Sequence, residues 1–128
     1  MTILKRTSKS ATIELKTDYL LIKFIDKSTI DLSEARIISH LSLELFKGKP
    51  HSVVLYGLDR SIQMDNVTRD YFANDPHLNS LTKSMAIVVN NTPSRLLARF
   101  YIQFNKPQSP IKIFRTLKEA EDWIRTFA

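Results

Sequence analysis

The sequence predicts a single α/β domain with a mostly parallel sheet and one antiparallel edge strand. Two strand patterns parted by a short turn open the chain and read as a hairpin. Apolar strand patterns then alternate with amphipathic helical patterns, which is how βαβ units are written in a sequence. The stretch 85–89, "MAIVV", is apolar without interruption, as in a parallel strand covered on both faces. The order is ββαβαβαβα over residues 1–128, one domain, with residues 1–9 as a candidate disordered N-terminus.

Each element has its own grounds. In "ATIELKT" (11–17), Ile13 and Leu15 alternate with Thr12, Glu14 and Lys16, the pattern of a half-exposed strand. Asp18 punctuates, and "YLLIKFID" (19–26) is the second strand of the hairpin. The helix over 31–48 has Asp31 as its cap, Glu34 as a capping-box partner, an apolar stripe of Ile38, Leu41 and Leu45, and Gly48 where a terminating glycine belongs. "HSVVLYGL" (51–58) is a short buried strand. The stretch 66–84 is helical with a break at Asp75-Pro76, where proline restarts a helix and Asp75 caps it. After the 85–89 strand come a helix over 92–106, a strand over 111–114 and a last helix over 116–128. That last helix carries a Thr116/Glu119 capping box and a stripe of Leu117, Ala120, Ile124 and Phe127.

At 128 residues the chain is long enough to bury one sizeable core. It has no cysteine, which excludes disulfides, thiolate metal sites and a cysteine nucleophile, and which fits a reducing, cytoplasmic location. No stretch has the roughly 20 apolar residues that span a bilayer. The net charge of +6 is unevenly spread. From Pro76 to Lys118 there is no acidic residue, while Lys83, Arg95, Arg99, Lys106, Lys112, Arg115 and Lys118 all fall there. A one-signed field of this kind favours an anionic partner.

Most chemistries find no support. His40, His51 and His77 are far apart, with no ligand-spaced partners, so no metal site and no cofactor is expected. There is no Gly-x-Ser-x-Gly elbow, and two glycines cannot build a phosphate loop. Glu119, Glu121 and Asp122 lie off the apolar stripe and read as a solvated face. What remains is topological: ligands of open α/β sheets bind at the carboxyl ends of the strands. If the strands over 52–56 and 85–89 are parallel neighbours, their following loops meet and offer Asp59, Arg60, Ser61, Asn90, Asn91, Ser94 and Arg95. Arg95 breaks a local rule. With Thr92 as cap and Pro93 first in the helix, it stands in the first turn, where a cation opposes the helix dipole by about 0.3–1 kcal/mol. Arg99 at i+4 adds repulsion of about 0.2–0.5 kcal/mol. An anion held by the helix amides, Ser94 and Arg95 would reverse the sign, and so would a carboxylate such as Asp59.

The hairpin start and the stretches "SVVLYGLDRSIQMDNVTRDYFAND", "SMAIVVNNTPSRLLARFYIQFNKPQSPIKIF" and "RTLKEAEDWI" resemble the SpoIIAA-like (STAS-like) domains, in particular small bacterial proteins of unknown function in that group. The resemblance implies a SpoIIAA-like fold and a non-enzymatic regulatory or binding module. Such domains include anti-sigma antagonists, transporter regulatory domains and relatives suspected of binding small or lipid ligands. The mark of the antagonists is an Asp-Ser-Ser-Gly type segment with a phosphorylated serine. Here "LYGLDRSIQMDN" offers Asp59, Ser61 and Asp65 without paired hydroxyls or a following glycine, so Ser61 is a weak phosphorylation candidate. The expected partner is a protein or a small anionic ligand, with a homodimer as a further expectation. The alternative is nonspecific nucleic-acid binding through 76–118, which lacks a recognised motif. Lipid or membrane-surface binding, and an enzyme using the Asp59/Arg95 region, are weaker alternatives.

Overall fold

The computed structural model describes residues 2–58, 62–89 and 109–127. In chain order these form β1 (Thr2–Thr7), β2 (Ala11–Lys16), β3 (Tyr19–Phe24), β4 (Thr29–Ile30), α1 (Leu32–Phe46), β5 (His51–Tyr56) and β6 (Gln63–Met64). Then follow α2 (Asn66–Asn74), α3 (Pro76–Leu81), β7 (Thr82–Val88), β8 (Ile111–Phe114) and α4 (Leu117–Arg125). Six strands make one mixed sheet in the order β1-β2-β3-β5-β7-β8, and β4 and β6 form a two-residue parallel ladder beside it. β3, β5, β7 and β8 are parallel, and β2 is antiparallel to both neighbours. The predicted helix over 92–106 lies outside the described residues.

Two expectations need correction. The N-terminus is not disordered at Thr2–Thr7, because this segment pairs with β2 from Thr2↔Lys16 to Thr7↔Thr12. It therefore takes the edge, and the antiparallel strand β2 is second in the sheet. The sequence hid β1 because an edge strand buries almost nothing: only Leu4 is half-buried, and Lys5 and Arg6 guard the open side. Arg6 also reaches Glu44 of α1 at 3.7 Å. The second correction is at β7, which starts at Thr82, three residues before the apolar run. The polar start is satisfied internally: the hydroxyls of Ser52 and Ser84, both buried, are 2.7 Å apart across β5 and β7.

Strand alternation sends the core to both faces. Leu20, Ile22 and Val53 face one layer, where they pack with Ala35, Ile38, Leu45 and Phe46 of α1. Partly buried Tyr71, Phe72 and Leu78 of α2 and α3 join that layer. Tyr19, Leu21, Val54, Ala86 and Val88 face the other, where they meet Ala120, Ile124, Leu117 and Trp123 of α4. The predicted N-caps and the predicted helix break hold. Asp31 accepts from the Glu34 amide at 2.8 Å, Thr116 from the Glu119 amide at 3.2 Å, and the helix breaks at buried Asp75 before Pro76. The left-handed cap of α1 falls on Lys47, one residue before Gly48.

Candidate functional site

The frame of the predicted site is present. β5 and β7 are parallel neighbours, in register from Val53↔Met85 to Tyr56↔Val88, and β3 joins on the other side with Lys23↔Tyr56. Three parallel strands thus end side by side at Phe24, Tyr56 and Val88. Gly57 leaves β5 with φ +83°, and a Cβ there would stand 3.0 Å from the Phe24 carbonyl oxygen. Only glycine meets both demands. Beyond the loop, Ile62 is buried and the Gln63 amide donates to the Ser28 carbonyl at 2.9 Å. The chain is therefore anchored on both sides of 59–61. A Gly57→Ala variant should lose about 1–3 kcal/mol of stability, read as a lower urea midpoint, because it adds backbone strain to a close contact.

The predicted site residues Asp59, Arg60, Ser61, Asn90, Asn91, Ser94, Arg95 and Arg99 lie outside the described residues. Asp65, which flanks the same loop, has a structural task. It caps α2 by accepting from the Thr68 amide at 2.9 Å. The nearby Thr68 hydroxyl and the hydrogen bond from the Thr68 amide hold the Asp65 carboxyl below the usual carboxylate range.

Two polar clusters that the sequence did not single out are built elsewhere. Glu34 does not complete a capping box. Its carboxylate is buried and accepts from the Ser10 hydroxyl at 2.5 Å and the Ser10 amide at 3.3 Å. Burial raises its pKa, but the hydrogen bonds from Ser10 and Ser8, helped by Lys9, prevail and bring it below the ordinary glutamate value. On the other face, the Tyr19 hydroxyl donates to Glu121 at 2.7 Å. Glu121 is thus turned toward the sheet, whereas Glu119 and Asp122 are exposed as expected. Burial, then the Glu121 carboxylate, pushes the Tyr19 pKa far above the ordinary 10.0, so the phenol stays protonated.

Among the described residues no group of His, Asp or Glu could hold a metal ion. His40 faces Glu44 on the same helix at 3.4 Å, and the His51 ring stacks on Phe46 at 5.2 Å between centroids. No helix among the described residues is long and apolar enough to cross a membrane.

A mostly parallel sheet begun by an antiparallel hairpin, with helices layered on both faces, defines a SpoIIAA-like α/β domain. The structure is similar to the crystal structure of an uncharacterized protein from the DUF3478 family with a SpoIIAA-like fold, from Shewanella loihica PV-4. The TM-score is 0.64 at 17% sequence identity, over 97% of this chain and 98% of that one. At that identity the likeness establishes the fold. The chain belongs to a family defined as a domain of unknown function, DUF7793, whose model matches residues 13–128. No curated protein sequence matches it.

Proposed function

We propose that the chain is a non-enzymatic binding module, regulatory in role, that recognises a protein partner or a small anionic ligand at the carboxyl ends of its parallel strands. The observation that supports this reading is the adjacency of the ends of β3, β5 and β7, with the chain anchored at Gly57 on one side of 59–61 and at Ile62 and Gln63 on the other. Sheets of this kind place ligands at that end. The sequence adds an arginine, Arg95, in the first turn of the helix predicted to follow β7, where an anion would turn an unfavourable charge into a favourable one. A cytoplasmic location belongs to the same proposal.

Inorganic phosphate is the simplest probe. Titrated into the full 15N-labelled chain, it should shift the amides of Gly57, Leu58, Val89 and the loop residues that follow them. Arg95→Ala should abolish those shifts and leave stability unchanged or slightly raised. Shifts spread evenly over exposed lysines, or an Arg95→Ala variant that is clearly destabilised, would overturn the proposal. The nucleic-acid alternative gains little from the geometry. Lys83 sits at the amino end of β7 and Arg115 just past the carboxyl end of β8, so these cations stand at opposite ends of the sheet.

A further inference from the structure

The sheet ends at β1, and among the described residues no strand pairs with its outer side. Antiparallel ladders alternate between residue pairs that exchange hydrogen bonds and pairs that do not. The Ser8 amide donates to the Ala11 carbonyl at 2.8 Å, so this pair is a bonded one, and so by alternation is Arg6↔Ile13. Lys5 and Thr7 occupy the other positions, and their amides and carbonyls point away from β2. An edge of this kind is a template for a further strand.

One of the outward carbonyls is already taken. The Arg6 guanidinium folds back over the edge and donates to the Lys5 carbonyl at 3.0 Å. The same side chain is held by α1, where one Glu44 carboxylate oxygen lies 3.7 Å from Arg6 Nε. The other Glu44 oxygen lies 3.4 Å from His40. Both members of the Arg6–Glu44 pair are close to half exposed, so the pair adds little to stability. What it does is lie across the backbone that a further strand would need. Exposed apolar side chains flank the same edge. Ile3 of β1 is 56% exposed. Ile37 is 45% exposed on the side of α1 that also carries Glu34 and Glu44 toward the β1–β2 hairpin.

We propose that Arg6, positioned by Glu44, is a latch that keeps the β1 edge closed to a second copy of this chain. With the latch released, two β1 edges pair antiparallel about a two-fold axis. That arrangement lets Lys5 and Thr7 of each copy donate and accept the backbone bonds that each edge lacks. Ile3 and Ile37 of both copies then lose water beside the seam, which adds apolar burial to the ladder. The strand β2 separates this edge from the strand ends of the proposed ligand site, and the inference does not rest on that reading.

The test is sedimentation of the full chain over a range of concentrations. Arg6→Ala should show a mass that rises with concentration toward twice the parent's, while the parent's mass stays constant. Lys49→Ala removes an exposed cation away from β1 and should sediment as the parent does. In Arg6→Ala the amides of Lys5 and Thr7 should exchange hydrogen more slowly as the concentration rises, because they become ladder donors. Adding Lys5→Pro to Arg6→Ala removes an outward amide without touching the ladder to β2, and should restore the parent's mass. The spectrum away from β1 reports whether the double variant keeps the fold, and the exchange measurement stands without it. The proposal fails if Arg6→Ala keeps the parent's mass at every concentration, or if Lys49→Ala associates equally. It fails too if Arg6→Ala associates while the Lys5 and Thr7 amides exchange at an unchanged rate, or if the folded double variant associates as Arg6→Ala does.

Discussion

A Glu34→Ala variant should unfold with about 2–4 kcal/mol less free energy than the parent, measured from urea midpoints at pH 7. The residue is 2% exposed, and the Ser10 hydroxyl and amide that it accepts from are equally enclosed. Alanine would leave the buried Ser10 hydroxyl without its acceptor and the Ser10 amide with only the Ser8 hydroxyl oxygen at 3.3 Å. It would also cut a three-way joint, because the Ser10 carbonyl accepts from the Ile25 amide at 2.8 Å. The β1–β2 turn, the end of β3 and the first turn of α1 meet there. The pH dependence has a definite sign. The folded pKa of Glu34 lies below its ordinary value of 4.5, so its contribution is complete above that value and is lost as pH falls through the lower folded one. Glu34→Gln keeps the shape and removes the titration. Its stability should fall less steeply than the parent's below pH 4.5. If the two acid limbs coincide, the carboxylate is not the charged acceptor described.

Phe46→Ala should cost about 3–5 kcal/mol, the range for deleting a buried aromatic ring. Phe46 is 1% exposed, at the last turn of α1, and lies nearly parallel to the His51 ring, with 7° between the planes. The vacated space would lie under the start of β5, where the chain turns back into the sheet, and a well-packed core does not collapse into such a gap without strain. His51→Ala, at a half-buried ring, should cost much less. A thermal melt of both variants checks the order, and equal losses would show that the ring pair, not the cavity, sets the cost.

The parts of the fold that were legible are those where burial writes a period. β2, β3, β5 and the apolar run of β7 announced themselves by alternation or unbroken apolarity, and α1 and α4 by their caps and stripes. β1 wrote no period because its side chains stay in water on the edge. Thr82 and Ser84 concealed the start of β7 because hydroxyls that satisfy one another can be buried without looking apolar. Glu121 was misjudged as solvated for a related reason. It borders the apolar stripe of α4 rather than lying on it, and only a tyrosine from a strand 102 residues away turns it inward. The frame of the site at the strand ends followed from βαβ alternation alone.

The docking of α4 also has a consequence for how the protein is made. Tyr19, Leu21, Val54, Ala86 and Val88 all lean on this helix, and four of its residues, Leu117, Ala120, Trp123 and Ile124, cover them. During synthesis, at roughly 5–20 residues per second, the strands that carry this apolar face are complete before the helix exists. A nascent chain halted before Thr116 would carry a finished sheet with this part of one side bare, a surface that other chains can adhere to. The last helix therefore governs solubility at birth as well as stability afterwards.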